Sequence, residues 1–187
     1  MSTHVYETAA TATRSVLEQV SADQMGNDTP CAAWKVNELV NHIIGGQRFF
    51  LAGVQGTPPS GTDDDYAVGD YLAAYDAVTS EAIEAFQQEG VMEKTFQLPF
   101  GEMPGAALAG LAATDMFQHG WDLAKATGQS TDLAPELAAS MLQQSKMSIQ
   151  ESFRGAEGAA PFGAEQPCPD GASNADQLAA FLGRKVD

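Results

Sequence analysis

Apolar positions recur along this chain at intervals of three and four, broken by Gly, Pro and Asp clusters, and the pattern predicts a run of helices. Val16, Val20 and neighbouring alanines place a first helix over residues 5 to 23, ended by GNDTPC at 26 to 31. A second begins near Lys35 and runs to about residue 54, with Leu39, Val40, Ile43, Ile44 and Phe50 forming a wide apolar face. Its start is an incomplete capping box, since Glu38 occupies the acidic position but a lysine stands where Ser or Thr is expected. GTPPSGTDDD then reads as a polar loop. Asp70 precedes a third helix to about Gln88, where Leu72, Tyr75, Val78, Thr79, Ala82, Ile83 and Phe86 repeat on one side and Asp76, Glu81 and Glu84 take the others.

After Gly90 the stretch VMEKTFQLPFGEMPG alternates and carries prolines, which suits an extended connection or a short hairpin. No strand pattern is strong enough to build a sheet. Pro104 can take the first turn of a fourth helix that stops at Gly128. A fifth helix is expected from Pro135 to about Ser152, on Leu137, Met141, Leu142 and Ile149. GAEGAAPFGAEQPCPDGAS is too rich in Gly, Ala and Pro for regular structure. A last short helix, DQLAAFLG, docks Leu178, Phe181 and Leu182. The expected fold is all-α: an antiparallel helical bundle with a core over about residues 5 to 152 and a C-terminal loop and short helix over about 153 to 187. At 187 residues and 44% hydrophobic composition, one domain spanning 1 to 187 suffices.

Charge narrows the function classes. With 25 acidic against 9 basic residues the formal net charge is −16, and the basic residues form no run. Such a chain repels phosphate backbones and anionic headgroups, which argues against nucleic-acid and membrane partners. No window approaches the length of continuous apolar sequence that spans a bilayer, and the N-terminus lacks a basic region followed by an apolar core, so the expected location is cytoplasmic. Cys31 and Cys168, each in a Pro-containing stretch, are either two thiols or one bridge, and neither belongs to a C-x-x-C pair.

The candidate chemistry lies in TDMFQHGWDLAKATG, residues 114 to 128. On a helix Asp115 and His119 point the same way, one turn apart, and Asp122 falls near the same stripe. A carboxylate and an imidazole at this spacing form a metal half-site. They equally form a surface pair or a satisfied polar contact in a core. The third candidate ligand is His42, on the other long core helix, because facing helices approach to about 8–10 Å. Asp122 either accepts the outer N–H of a ligating imidazole or ends a solvated face. Asn41 and Gln118 read as hydrogen-bonding residues, Trp34 and Trp121 as packing, Cys31 as a buried hinge, Lys35 and Arg48 as solvated, and His4 as part of a frayed start.

Three segments together, TPCAAWKVNELVNHIIGG (29 to 46), DMFQHGWDLAKATG (115 to 128) and PFGAEQPCPDG…LAAFLGR (161 to 184), resemble the DinB/YfiT-like metal-binding superfamily. The branch they resemble is that of the N-terminal domain of mycothiol-dependent maleylpyruvate isomerase. The resemblance implies a four-helix bundle holding one divalent ion, commonly zinc or nickel, and the matching ligands here are His42, Asp115 and His119. Two departures stand out. The isomerase-like branch usually carries Glu where this chain has the shorter Asp115, which leaves room for a bridging water or another ligand such as Glu38. The larger isomerase also has a substantial C-terminal domain, which residues 129 to 187 do not supply.

Three protein ligands leave a coordination position open, the pattern of a catalytic ion. An open position holds water or a thiolate, and either becomes a nucleophile at neutral pH. The resemblance favours mycothiol or another low-molecular-weight thiol attacking a small electrophile, as a transferase or isomerase-like catalyst. A non-catalytic metal- or small-molecule-binding bundle is the competing class. Partners are then a small-molecule thiol and an electrophilic substrate, with the protein a monomer or a homodimer.

Overall fold

The computed structural model describes residues 3–32, 34–156 and 160–186. Among them the chain forms α1 (His4–Leu17), α2 (Val36–Gln55), α3 (Tyr71–Phe86), β1 (Thr95–Leu98), β2 (Gly101–Pro104), α4 (Gly105–Ala126), α5 (Pro135–Ser148) and α6 (Asn174–Phe181). α1 packs on α3 and α4, and α2 packs on the same two helices. α5 pairs with α6, which also reaches α4. The core is continuous. Leu39, Val40, Ile43 and Ile44 from α2 meet Leu108, Ala112, Met116 and Leu123 from α4, with Leu17, Val78 and Phe86 filling the flanks. The α2 and α3 positions among these are the ones that the three-and-four spacing singles out, and burial of one apolar face per helix accounts for the packing.

Several polar side chains inside this core are paired across helices. The Tyr6 hydroxyl donates to Gln47 Oε1 at 2.9 Å, the Tyr75 hydroxyl to the Ala10 carbonyl at 3.0 Å, and Thr13 Oγ1 to the Met116 carbonyl at 3.1 Å. Burial pushes both the Tyr6 and Tyr75 phenols above the ordinary tyrosine value. Their contribution to stability is full below the unfolded value near 10 and is lost as pH rises from there towards the raised folded values. We therefore expect stability to fall above about pH 10 by about 1.4 kcal/mol per pH unit for each phenol. Urea unfolding of Tyr6→Phe and Tyr75→Phe across that range checks it, since each substitution should flatten the slope.

Several element ends differ from the expectation. α1 stops at Leu17, not near 23, because Glu18 and Gln19 are exposed and the Ser21 N–H donates to Gln24 Oε1, starting a separate turn. His4 opens this helix, so it is not part of a frayed lead-in. α5 stops at Ser148, since Ile149 turns extended. Pro104 ends β2 and stands just before the fourth helix, not in its first turn. The strands β1 and β2 do pair, antiparallel, with Phe96 opposite Met103. This is the short hairpin that the alternating stretch after Gly90 allowed; each strand is four residues long, β1 buries Phe96 and Leu98, and β2 buries none of its residues. Glu157, Gly158 and Ala159 of the expected C-terminal loop lie outside the described residues. Leu178, Phe181 and Leu182 are buried as expected. No disulfide joins Cys31 and Cys168. No helix among the described residues is long and apolar enough to cross a membrane.

Candidate metal centre

α2 and α4 bring their polar residues together where α2 carries two glycines. In α2 the pair Gly45–Gly46 lets two neighbours come close. The Thr62 carbonyl sits where a Gly45 Cβ would be, and a Gly46 Cβ would lie 3.3 Å from Asp115 Oδ2. A larger residue at either position would push away the 57–65 segment or the carboxylate. His42, one turn earlier on α2, faces the same space.

On α4 the residues Asp115, His119 and Asp122 stack along one stripe, as spacings of four and three require. The Nε2 atoms of His42 and His119 lie 3.9 and 3.7 Å from Asp115 Oδ1. Both separations are too long for hydrogen bonds. Donor atoms of all three residues fall within 4.8 Å of one another. His42 Nε2 and Asp115 Oδ2 are buried without a hydrogen-bond partner among the described residues. Buried polar atoms are rarely left so, and such orphans call for an ion or a water. Two imidazole nitrogens and a carboxylate that converge without bonding one another could hold a divalent metal. Glu38, the alternative carboxylate, instead caps α2, accepting from the Lys35 N–H at 2.8 Å.

The surroundings orient the two rings. His119 Nδ1 lies 3.0 Å from Asp122 Oδ2, so with the proton on Nδ1 the Nε2 lone pair is left for the shared space. Asp122 is fully buried and receives Arg184 through two bonds, Nε to Oδ1 at 2.8 Å and a terminal nitrogen to Oδ2 at 3.0 Å. Burial acts to raise the Asp122 carboxyl, but bonding from His119 and Arg184 outweighs it and holds the group below the usual carboxylate range. Asp115 behaves alike: burial is again the largest influence, opposed by His42 and then His119, and the net direction is downward. On the other side the Trp34 ring stacks on His42 at 4.0 Å between centroids and 24° between planes, and meets His119 edge-on.

Two clefts open on the cluster, and Asp115 lines both. One, of 170 Å³, is walled by Leu111, Phe162, Leu182 and Arg184 and reaches His119. The other, of 390 Å³, is bounded by His42, Gly46, Phe49, Thr62 and Asp63.

The structure thus brings His42, Asp115 and His119 together and sets Asp122 behind His119. Asn41 hydrogen-bonds Asp65 and the Ala67 N–H, securing the 57–70 segment, and Gln118 lies 3.4 Å from Asp122. Trp121 is buried, as a packing residue should be, whereas Trp34 is half-buried and packs on a site histidine. Lys35 is exposed, as expected, and pairs with the exposed Asp28, whereas Arg48 is half-buried and lies over the Tyr66 ring. Arg184 is the residue that sequence reasoning passed over. It looked like one of nine scattered cations, and no local signal links it to Asp122, 62 positions earlier.

Residues 6–124 match the family described as the mycothiol maleylpyruvate isomerase N-terminal domain. The chain belongs to that family, within the DinB/YfiT-like superfamily. Two uncharacterized proteins of Mycobacterium tuberculosis, from strains CDC 1551 and H37Rv, are each 43% identical to it over 185 residues, covering 97% of this chain and 96% of theirs. No solved structure matches it. The match to the isomerase N-terminal domain family takes in α1 to α3, the hairpin and nearly all of α4, and so includes His42, Asp115, His119 and Asp122. Residues 125–187, with α5, α6 and Arg184, fall outside the matched span.

Proposed function

We propose that this protein is a metal- and thiol-dependent enzyme of the transferase or isomerase-like kind, acting on a small electrophile with mycothiol or another low-molecular-weight thiol as co-substrate. Its scaffold is read as one domain over residues 1 to 187, an antiparallel four-helix bundle of α1 to α4 carrying α5, α6 and the C-terminal segment. His42, Asp115 and His119 are the ligands of one divalent ion, zinc or nickel. The observation that carries this reading is the pair of buried donor atoms, His42 Nε2 and Asp115 Oδ2, left without hydrogen-bond partners among the described residues where three side chains able to ligate converge.

A bound divalent ion with an open position supplies a Lewis acid that keeps a thiol deprotonated near neutral pH. The chain's own residues do the rest. Asp122 keeps the proton of His119 on Nδ1, Trp34 fixes the plane of His42, and Gly46 leaves space for the Asp115 carboxylate. The two clefts on either side of Asp115 give thiol and electrophile separate approaches. Leu111, Phe162 and Leu182 give the smaller cleft an apolar side facing Asp115 and His119, which suits the carbon skeleton of a small electrophile.

Turnover of monochlorobimane by the purified protein tests this reading. A rate that rises with added mycothiol and is abolished by a chelator is the expected result. Failure of mycothiol, bacillithiol and cysteine alike to raise the rate would sink the transferase reading.

A further inference from the structure

The C-terminal segment is tied to α4 at three successive polar residues. Trp121 Nε1 donates to Asp176 Oδ1 at 2.9 Å, Asp122 receives the two Arg184 bonds, and Lys125 Nζ donates to the Val186 carbonyl at 2.7 Å. Behind this seam Arg154 donates to the carbonyls of Gly163 and Phe181, both at 2.8 Å, and its guanidinium lies over the Phe181 ring. The chain then reverses at Gly183, whose φ of +105° favours glycine. A Cβ there would lie 2.6 Å from the Gly163 Cα, so two backbone strands touch just before Arg184. Much of the segment's polar bonding thus serves to deliver one guanidinium to one fully buried carboxylate.

The geometry points to Arg184 as a positioning residue for the metal ligand His119, acting through Asp122. This rests on the reading of His42, Asp115 and His119 as metal ligands. A planar guanidinium that engages both oxygens of Asp122 fixes the plane of that carboxylate, which a single ammonium cannot do. Asp122 in turn offers Oδ2 to His119 Nδ1, and so sets the direction of Nε2. Without Arg184 the buried carboxylate loses the guanidinium that engages both of its oxygens, and it is no longer held to one orientation. The C-terminal segment, outside the family span, would then be part of the metal centre and not an appendage to it.

Zinc affinity, measured by competition with a chromogenic chelator, tests this with zinc alone as the probe. Arg184→Met is expected to weaken zinc binding about 10–100-fold, the range usual for loss of an outer partner of a ligating histidine. Arg184→Lys keeps the charge without the fork and should fall between the two. In an Asp122→Asn background, Arg184→Met should cause no further weakening, because its route to His119 is already cut. Circular dichroism of each variant checks that the helices persist, and Arg184→Lys carries the test if the methionine variant does not fold.

The sign is informative. Removing a positive charge near a cation site would by itself tighten zinc binding, so a variant that binds zinc as tightly as the parent, or more tightly, overturns the proposal. Equal weakening with and without Asp122 would also overturn it, showing a general effect of the segment. If the parent protein binds no zinc at all, the reading of the metal centre fails with it, and that outcome is separate from the other two.

Discussion

Replacing His119 with alanine is expected to abolish the protein's divalent ion content, from about one equivalent in the purified parent to less than about a tenth. His119 is 8% exposed, and its Nδ1 is committed to Asp122, so its Nε2 is the best-fixed nitrogen in the cluster. Alanine leaves His42 and Asp115 as the converging pair, and two donors 3.9 Å apart do not make a site that retains an ion through purification. Asp122 keeps its two bonds to Arg184, so the fold survives the change. Metal analysis by mass spectrometry reads the loss. A parallel thermal scan separates it from misfolding: zinc at about 100 times its dissociation constant should stabilise the parent by about 2.7 kcal/mol and leave His119→Ala unmoved.

Trp121→Ala should be the most damaging single change to stability, by about 3–5 kcal/mol. The indole is fully buried in α4 two residues past His119, and its Nε1 bonds Asp176 at the start of α6. Truncation therefore opens a large cavity in the core and frees one of the three points that hold the C-terminal segment. Trp121→Phe keeps much of the volume and loses the bond to Asp176, and should cost less. Denaturant melts of the two variants give the comparison. Equal losses would mean that the hydrogen bond, and not the packing, dominates at this position.

The helices that build the centre were legible because the signal is geometric. Leu39, Val40, Ile43 and Ile44 repeat at helical spacing, which puts His42 at the edge of a buried face. Asp115 and His119, four apart, share a stripe on any helix. The convergence of His42 with that stripe could be proposed because two long core helices must pack. What escaped was whatever depends on the chain coming back from a distance. Arg184 meets Asp122 only after a reversal at Gly183 and a backbone contact with Gly163, and Gly, Ala and Pro in that stretch read as loop whatever they pack against. Trp34 reads as an aromatic wherever it stands, and only the placed ring shows that its partner is His42. The pairing of β1 and β2 falls in the stretch whose alternation and prolines suited a short hairpin or an extended connection, and four residues per strand are too few to decide between the two.

X-ray absorption of the zinc-loaded protein, recorded with and without mycothiol, tests the central claim most directly. The account predicts imidazole scattering with nitrogen and oxygen neighbours at about 2.0–2.2 Å and no sulfur in the absence of thiol, since neither Cys31 nor Cys168 belongs to the donor cluster. Addition of mycothiol should then introduce one sulfur at about 2.3 Å. A sulfur neighbour before any thiol is added, a shell without imidazole, or a shell that mycothiol leaves unchanged would contradict it.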